Sequence, residues 1–103
     1  MEIMQGDAYD IPLKVTINNL LVTPESVEKI EACIGSVSKI FPDHGIAYDE
    51  ERQRYMVSLE QEDTFGLKGN NRFQVRIQVS GGDVIGVSLE DVYVNKCVSK
   101  EVL

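Results

Sequence analysis

Tryptophan is absent from this 103-residue chain, histidine occurs once, cysteine twice and proline three times. Each scarcity removes something. With His44 as the sole imidazole, a nucleophile–histidine arrangement would have to be built on it. Yet it stands in Pro42-Asp43-His44-Gly45, which is turn chemistry with no nucleophile motif beside it. Cys33 and Cys97, without a short CxxC spacing, read as two reduced, partly buried thiols rather than a disulfide framework. Basic residues are outnumbered ten to seventeen, for a formal net charge of −7. A phosphate backbone needs clustered Lys and Arg, so no nucleic-acid partner is expected. Long apolar runs are missing too: the longest are a few residues, against the roughly 20 that a helical span needs, and no membrane partner is expected. Met1 to Asp7 lacks the basic start and apolar run of a secretory signal. The expected location is therefore cytoplasmic, or an assembly that leaves the cell.

Alternation is what the chain has in quantity. Arg72 to Ser80 places Phe73, Val75, Ile77 and Val79 on one face and Arg72, Gln74, Arg76 and Gln78 on the other. Gly81-Gly82 supplies a two-residue turn needing positive φ, and Ile85, Val87 and Leu89 return on the apolar face. Val92 and Val94 cannot share that face unless Glu90-Asp91 holds an extra residue, which predicts a bulge. Upstream, Ile11, Leu13, Val15 and Ile17 alternate, with Pro12 marking an edge strand or a strand start. Ile46 to Asp49 and Gln53 to Glu60 predict a second hairpin. Gln61 to Gly69 predicts one helical turn crossing between sheets, with Phe65 and Leu67 plugging the core. Residues 24–37 carry two patterns, a helical one through Val27, Ile30, Ile34 and Val37 and an alternating one through Ile30, Ala32 and Ile34. One helical turn at Pro24 to Val27 followed by a strand is the reading taken.

About seven short strands at spacings of 8 to 12 residues predict an all-β fold, an immunoglobulin-like β-sandwich with one or two single helical turns. At this length one domain over residues 1–103 is expected, with 1–8 and 96–103 as frayed tails. No catalytic, cofactor or metal residues emerge. The acids Asp43, Asp49, Glu50 and Glu51 cluster on one loop without the spacing of a calcium loop, and Gly66-Leu67-Lys68-Gly69 lacks the ending of a phosphate loop. The pairs Arg52/Arg54 and Arg72/Arg76 read as solvated, salt-bridged strand faces. Tyr9, Tyr48, Tyr55 and Tyr93 could stack on sugars, but two of them fall on core-facing positions.

From Ile46 onward the chain carries a Tyr48-Asp49 turn, Val57-Ser58-Leu59-Glu60-Gln61-Glu62-Asp63-Thr64, the crossover Phe65-Gly66-Leu67-Lys68-Gly69, the strand Gln74 to Val79, and Gly82-Asp83-Val84-Ile85-Gly86. In these it resembles small structural proteins of tailed phages and Firmicutes prophages, and it is similar to the N-terminal β-sandwich of phage baseplate upper proteins. The resemblance implies a virion or assembly component without enzymatic activity. Its partners would be other virion or assembly proteins, with a homo-oligomer among the options. An exposed strand edge is the expected means, and the final strand and tail, Val92, Tyr93, Val94, Lys100, Val102 and Leu103, are the expected place. A carbohydrate-binding β-sandwich module is the alternative from another class.

Overall fold

The computed structural model describes all 103 residues and is all-β apart from one helix of five residues. Its strands are β1 (Glu2–Met4), β2 (Tyr9–Leu13), β3 (Thr16–Ile17), β4 (Leu20–Leu21), β5 (Val27–Ile34), β6 (Val37–Phe41), β7 (Ile46–Asp49), β8 (Arg54–Leu59), β9 (Gly69–Val79) and β10 (Val84–Asn95), with α1 (Gln61–Phe65) between β8 and β9. Five strands form one curled sheet in the order β1-β10-β9-β5-β6, three form a second in the order β2-β8-β7, and β3 and β4 make a small hairpin.

Ten strands rather than seven follow from three short additions. Residues 1–8, expected to fray, instead supply β1, which pairs parallel with the end of β10 through Glu2↔Tyr93, Ile3↔Val94 and Met4↔Asn95. The long first strand breaks after Leu13, and its remainder folds into β3 and β4 around Asn18 and Asn19, both at positive φ. Asn is among the few non-glycine residues that tolerate that region, because its short polar side chain can bond locally.

In the ambiguous segment the strand pattern prevails. Thr23 to Ser26 closes as a turn, with the Ser26 amide donating to Thr23 O at 3.0 Å, and no helix forms. Val27, Ile30, Ala32 and Ile34 then point into the core from β5. β5 has partners on both sides, β6 and β9, so Ile30 to Ile34 are supported by two ladders, which outweighs a local helical preference. The predicted bulge is present between Leu89 and Val92, and it keeps Val92 and Val94 on the buried face. As read from the sequence, α1 crosses from the three-stranded to the five-stranded sheet.

One apolar cluster joins the two larger sheets, with Ile11, Leu13, Ile46, Tyr55, Val57 and Leu59 facing Ile30, Ala32, Ile34, Phe73, Val75, Val92 and Val94. Tyr55, 1% exposed, stands edge-on to Phe41 and Tyr48, with ring centres 5.2 and 4.8 Å away. Its hydroxyl donates to Val22 O at 3.2 Å, giving the buried polar tip a partner. Burial, and then the neighbouring Tyr48, push its pKa up to about 12.

Two buried polar groups fasten the ends of the chain. The Gln5 side chain donates to Leu67 O at 2.8 Å and accepts from the Cys97 amide at 3.2 Å and the Lys100 ammonium at 3.1 Å. Thr64, fully buried, donates to Asp7 O at 2.8 Å and accepts from the Gly6 amide at 2.9 Å. Both tie the segment between β1 and β2 to the crossover. No helix is long and apolar enough to cross a membrane.

Candidate interaction edge

A strand at the rim of a sheet leaves half its backbone groups without a partner, so each rim has either a guard or a function. Four of the rims of the two larger sheets are guarded, β7 by being only four residues long. β2 carries Pro12, which has no amide to offer, and Lys14 follows it. β6 turns Lys39 inward, where it is 5% exposed and holds Asp63 Oδ2 at 2.8 Å, and its far end exchanges backbone bonds between Ile40 and His44 next to β7. Burial pushes the Asp63 carboxyl up. The Lys39 hydrogen bond, the Glu60 amide and the charges of Lys39 and His44 outweigh that and hold it below its ordinary value. β1 is only three residues long.

The fifth rim is the first half of β10. The Val79 amide donates to Asp83 O at 2.9 Å, which makes 79/83 a hydrogen-bonded pair of the β9–β10 ladder. Because such pairs alternate, Ile85, Val87 and Leu89 bond to β9 while the amides and carbonyls of Val84, Gly86 and Ser88 point away from it. No other strand meets them, since β10's second neighbour, β1, begins pairing only at Tyr93. After the bulge the outward groups belong to Asp91, Tyr93 and Asn95, and these are taken. The Tyr93 amide donates to Met1 O and the Gln5 amide to Asn95 O, both at 2.8 Å.

The side chains of this open stretch are apolar. Val84 is 60% exposed, Ile85 43% and Val87 50%. Ile85 and Val87 lie on the core side of the sheet, opposite Ile77 and Val75, but nothing is packed over them. No proline, lysine or arginine interrupts Val84 to Leu89.

Comparison of the chain with protein-family models, with curated proteins and with solved structures gives no match. What the edge does has to come from its own chemistry.

The residues expected to form the edge lie elsewhere. Val92 and Val94 are core residues at 0% and 2% exposure, and Tyr93, though its ring is exposed, has its amide bonded to Met1 O. β1 occupies the place that was read as open. It was missed because Glu2-Ile3-Met4 is too short to show alternation. In the tail, Lys100 reaches back to Gln5, while Val102 and Leu103 are exposed and belong to no strand. Ile85, Val87 and Leu89 alternate like core residues, and alternation alone does not separate an open face from a covered one. The signal available was Val84 beside Ile85, two adjacent apolar residues on opposite faces of one strand, which leaves one of them facing out.

Other candidates for chemistry do not converge. No three His, Cys, Asp or Glu side chains gather as a metal site would require. His44 is exposed on its turn, and Cys33 and Cys97 are free, half-buried thiols. Arg76 is paired with Glu31 at 2.6 Å. The largest hollow, about 650 Å³, is bordered by Met1, Glu2, Asn70, Glu90, Asp91 and Tyr93. Each of its three carboxylates is already held: Glu2 by Asn95, Asp91 by Asn70, and Glu90 by the Met1 ammonium. Of the tyrosines, Tyr55 is in the core with Tyr48 against it. The exposed Tyr9 and Tyr93 belong to different sheets.

Proposed function

We propose that this protein is a non-enzymatic interaction module that binds another polypeptide by extending its five-stranded sheet at the open edge of β10. One observation carries the reading: Val84 to Leu89 presents outward backbone groups and exposed apolar side chains with none of the guards found on the other rims. Added strands draw affinity from main-chain hydrogen bonds and selectivity from alternate side chains, and here both are on offer along one stretch. The scaffold supports the same reading. The order β10-β9-β5-β6 in one sheet and β2-β8-β7 in the other supports an immunoglobulin-like sandwich of the variable type as the scaffold. A phage or prophage virion, or its assembly, is the setting suggested by the sequence resemblance, with other virion or assembly proteins as partners.

The test is a photo-crosslinking side chain placed at Ser88, on the open edge, or at Lys14, beside the guarded rim of β2, in cells making the protein. Adducts with a polypeptide at Ser88 and none at Lys14 are expected. Equal yields at both positions, or none at either, would overturn the reading.

A further inference from the structure

We infer that the strand completing the open edge is β10 of a second copy of this chain, running antiparallel across a two-fold axis at Val87. This rests on the edge-docking reading above and names its partner.

The gap matches its own sequence. It is bounded by the Gly81-Gly82 turn at one end and by β1 at the other, where the Met1 ammonium holds Glu90, which leaves Val84 to Leu89 free for a partner strand. With Val87 opposite itself, Ile85 faces Leu89 of the second copy, Gly86 faces its Ser88 and Val84 faces its Glu90. Parity is satisfied: the outward-pointing groups of Gly86 and Ser88 meet one another, so the two Gly86/Ser88 pairs exchange hydrogen bonds. The pairs Ile85/Leu89 and Val87/Val87 are then the closer, non-hydrogen-bonded kind, in which side chains pack tightest. A two-fold axis perpendicular to the sheet keeps the core-side faces of both copies on one side. Ile85 and Val87, now in water, would lie against Leu89 and Val87 of the other copy.

Neighbouring registers of the same parity are worse. Centring on Gly86 sets Asp83 against Leu89, and centring on Ser88 sets Asp91 against Ile85. Only the axis at Val87 puts apolar on apolar along the core-side face, and no like charges oppose each other between Val84 and Glu90. Asp83 and Asp91 come opposite each other just beyond the paired window. Isologous two-fold contacts are also the commonest way for identical chains to associate.

Three apolar side chains and one strand edge fall short of the roughly 800 Å² per partner of a standard interface, so the dimer is weak. Each copy carries −7, so salt strengthens association by screening the repulsion. A basic strand from a different protein would show the reverse.

Sedimentation equilibrium on the full chain tests this. The mean mass of the wild type should climb from monomer toward dimer between about 5 and 500 μM, and do so at lower concentration in about 0.5 M than in about 0.05 M salt. Val87→Lys and Val87→Asp each place two like charges face to face on the axis and should weaken association by about tenfold or more. Thermal melting should show both folded, because Val87 is half exposed. An equimolar mixture of the two variants should dimerise again, with a smaller gain from added salt than the wild type, because one local attraction now opposes the overall repulsion. A wild type that stays monomeric throughout overturns the inference, and so does a mixture that stays monomeric. If self-association fails while Ser88 still crosslinks to a different protein, the edge-docking reading stands and only its partner was wrong.

Discussion

Replacing Asp63 with Asn should destabilise the fold more than replacing Lys39 with Met, although both changes break one ion pair. Lys39 Nζ and Asp63 Oδ2 are 2.8 Å apart, and the side chains are 6% and 22% exposed. Losing the carboxylate leaves a buried ammonium with only an amide oxygen beside it, the costly way to break such a pair, at about 3–5 kcal/mol. Losing the ammonium instead leaves a carboxylate that water reaches in part and that still accepts the Glu60 amide at 2.8 Å, while the unbranched Met stem refills the space against Gly45. That should cost about 1–2 kcal/mol. The double variant should recover part of the loss, with a coupling on the order of 1–3 kcal/mol. pH adds a second signature. The folded Asp63 carboxyl lies below its unfolded value of about 4, so the pair's contribution is present above that pH and is lost as pH falls through the lowered folded value. Urea titrations followed by circular dichroism, at neutral pH and stepwise into acid, read both effects. Lys39→Met proving as damaging as Asp63→Asn, or an acid limb in Asp63→Asn that matches the wild type, would refute the argument.

Two further outcomes concern buried polar atoms. Tyr55→Phe removes the bond to Val22 O and should cost about 0.5–1.5 kcal/mol near neutral pH. The raised pKa of Tyr55 contributes stability that is complete below about pH 10 and fades as pH rises toward about 12, so alkaline urea titrations should fall less steeply for the variant than for the wild type. Thr64→Val keeps the shape but strands the Gly6 amide and Asp7 O. A loss of about 1–3 kcal/mol in a urea titration, with faster amide exchange at Gly6, is expected.

The middle of the chain was legible because its periodicity had physical consequences. The clean alternation in Phe73 to Val79 reports a strand with one face in the core, and the phase slip at Glu90-Asp91 reports a bulge because side chains cannot change faces without one. The helix-or-strand ambiguity of residues 24–37 could not be resolved locally, since what decides it is a ladder on each side of β5 from residues up to about fifty positions away. The edge was misplaced for a related reason. Alternation tells which face of a strand a side chain is on, but not whether a second sheet lies over that face, nor which neighbour has claimed its rim. Ile85 and Val87 satisfy the pattern of core residues and lie on the core side, yet stand in water. Val92 and Val94 are closed off by Glu2 to Met4, too short a stretch to announce itself.

The parallel pairing of β1 with β10 also orders events in time. Residues 2–4 meet residues 93–95, so during synthesis the first strand of the chain waits for the last one to leave the ribosome. Until they meet, the outward backbone groups of β10 run bare from Val84 through Asn95 rather than stopping at the bulge. A nascent or N-terminally clipped molecule therefore offers a longer adhesive strand than the finished one, and β1 sets the length of what remains open.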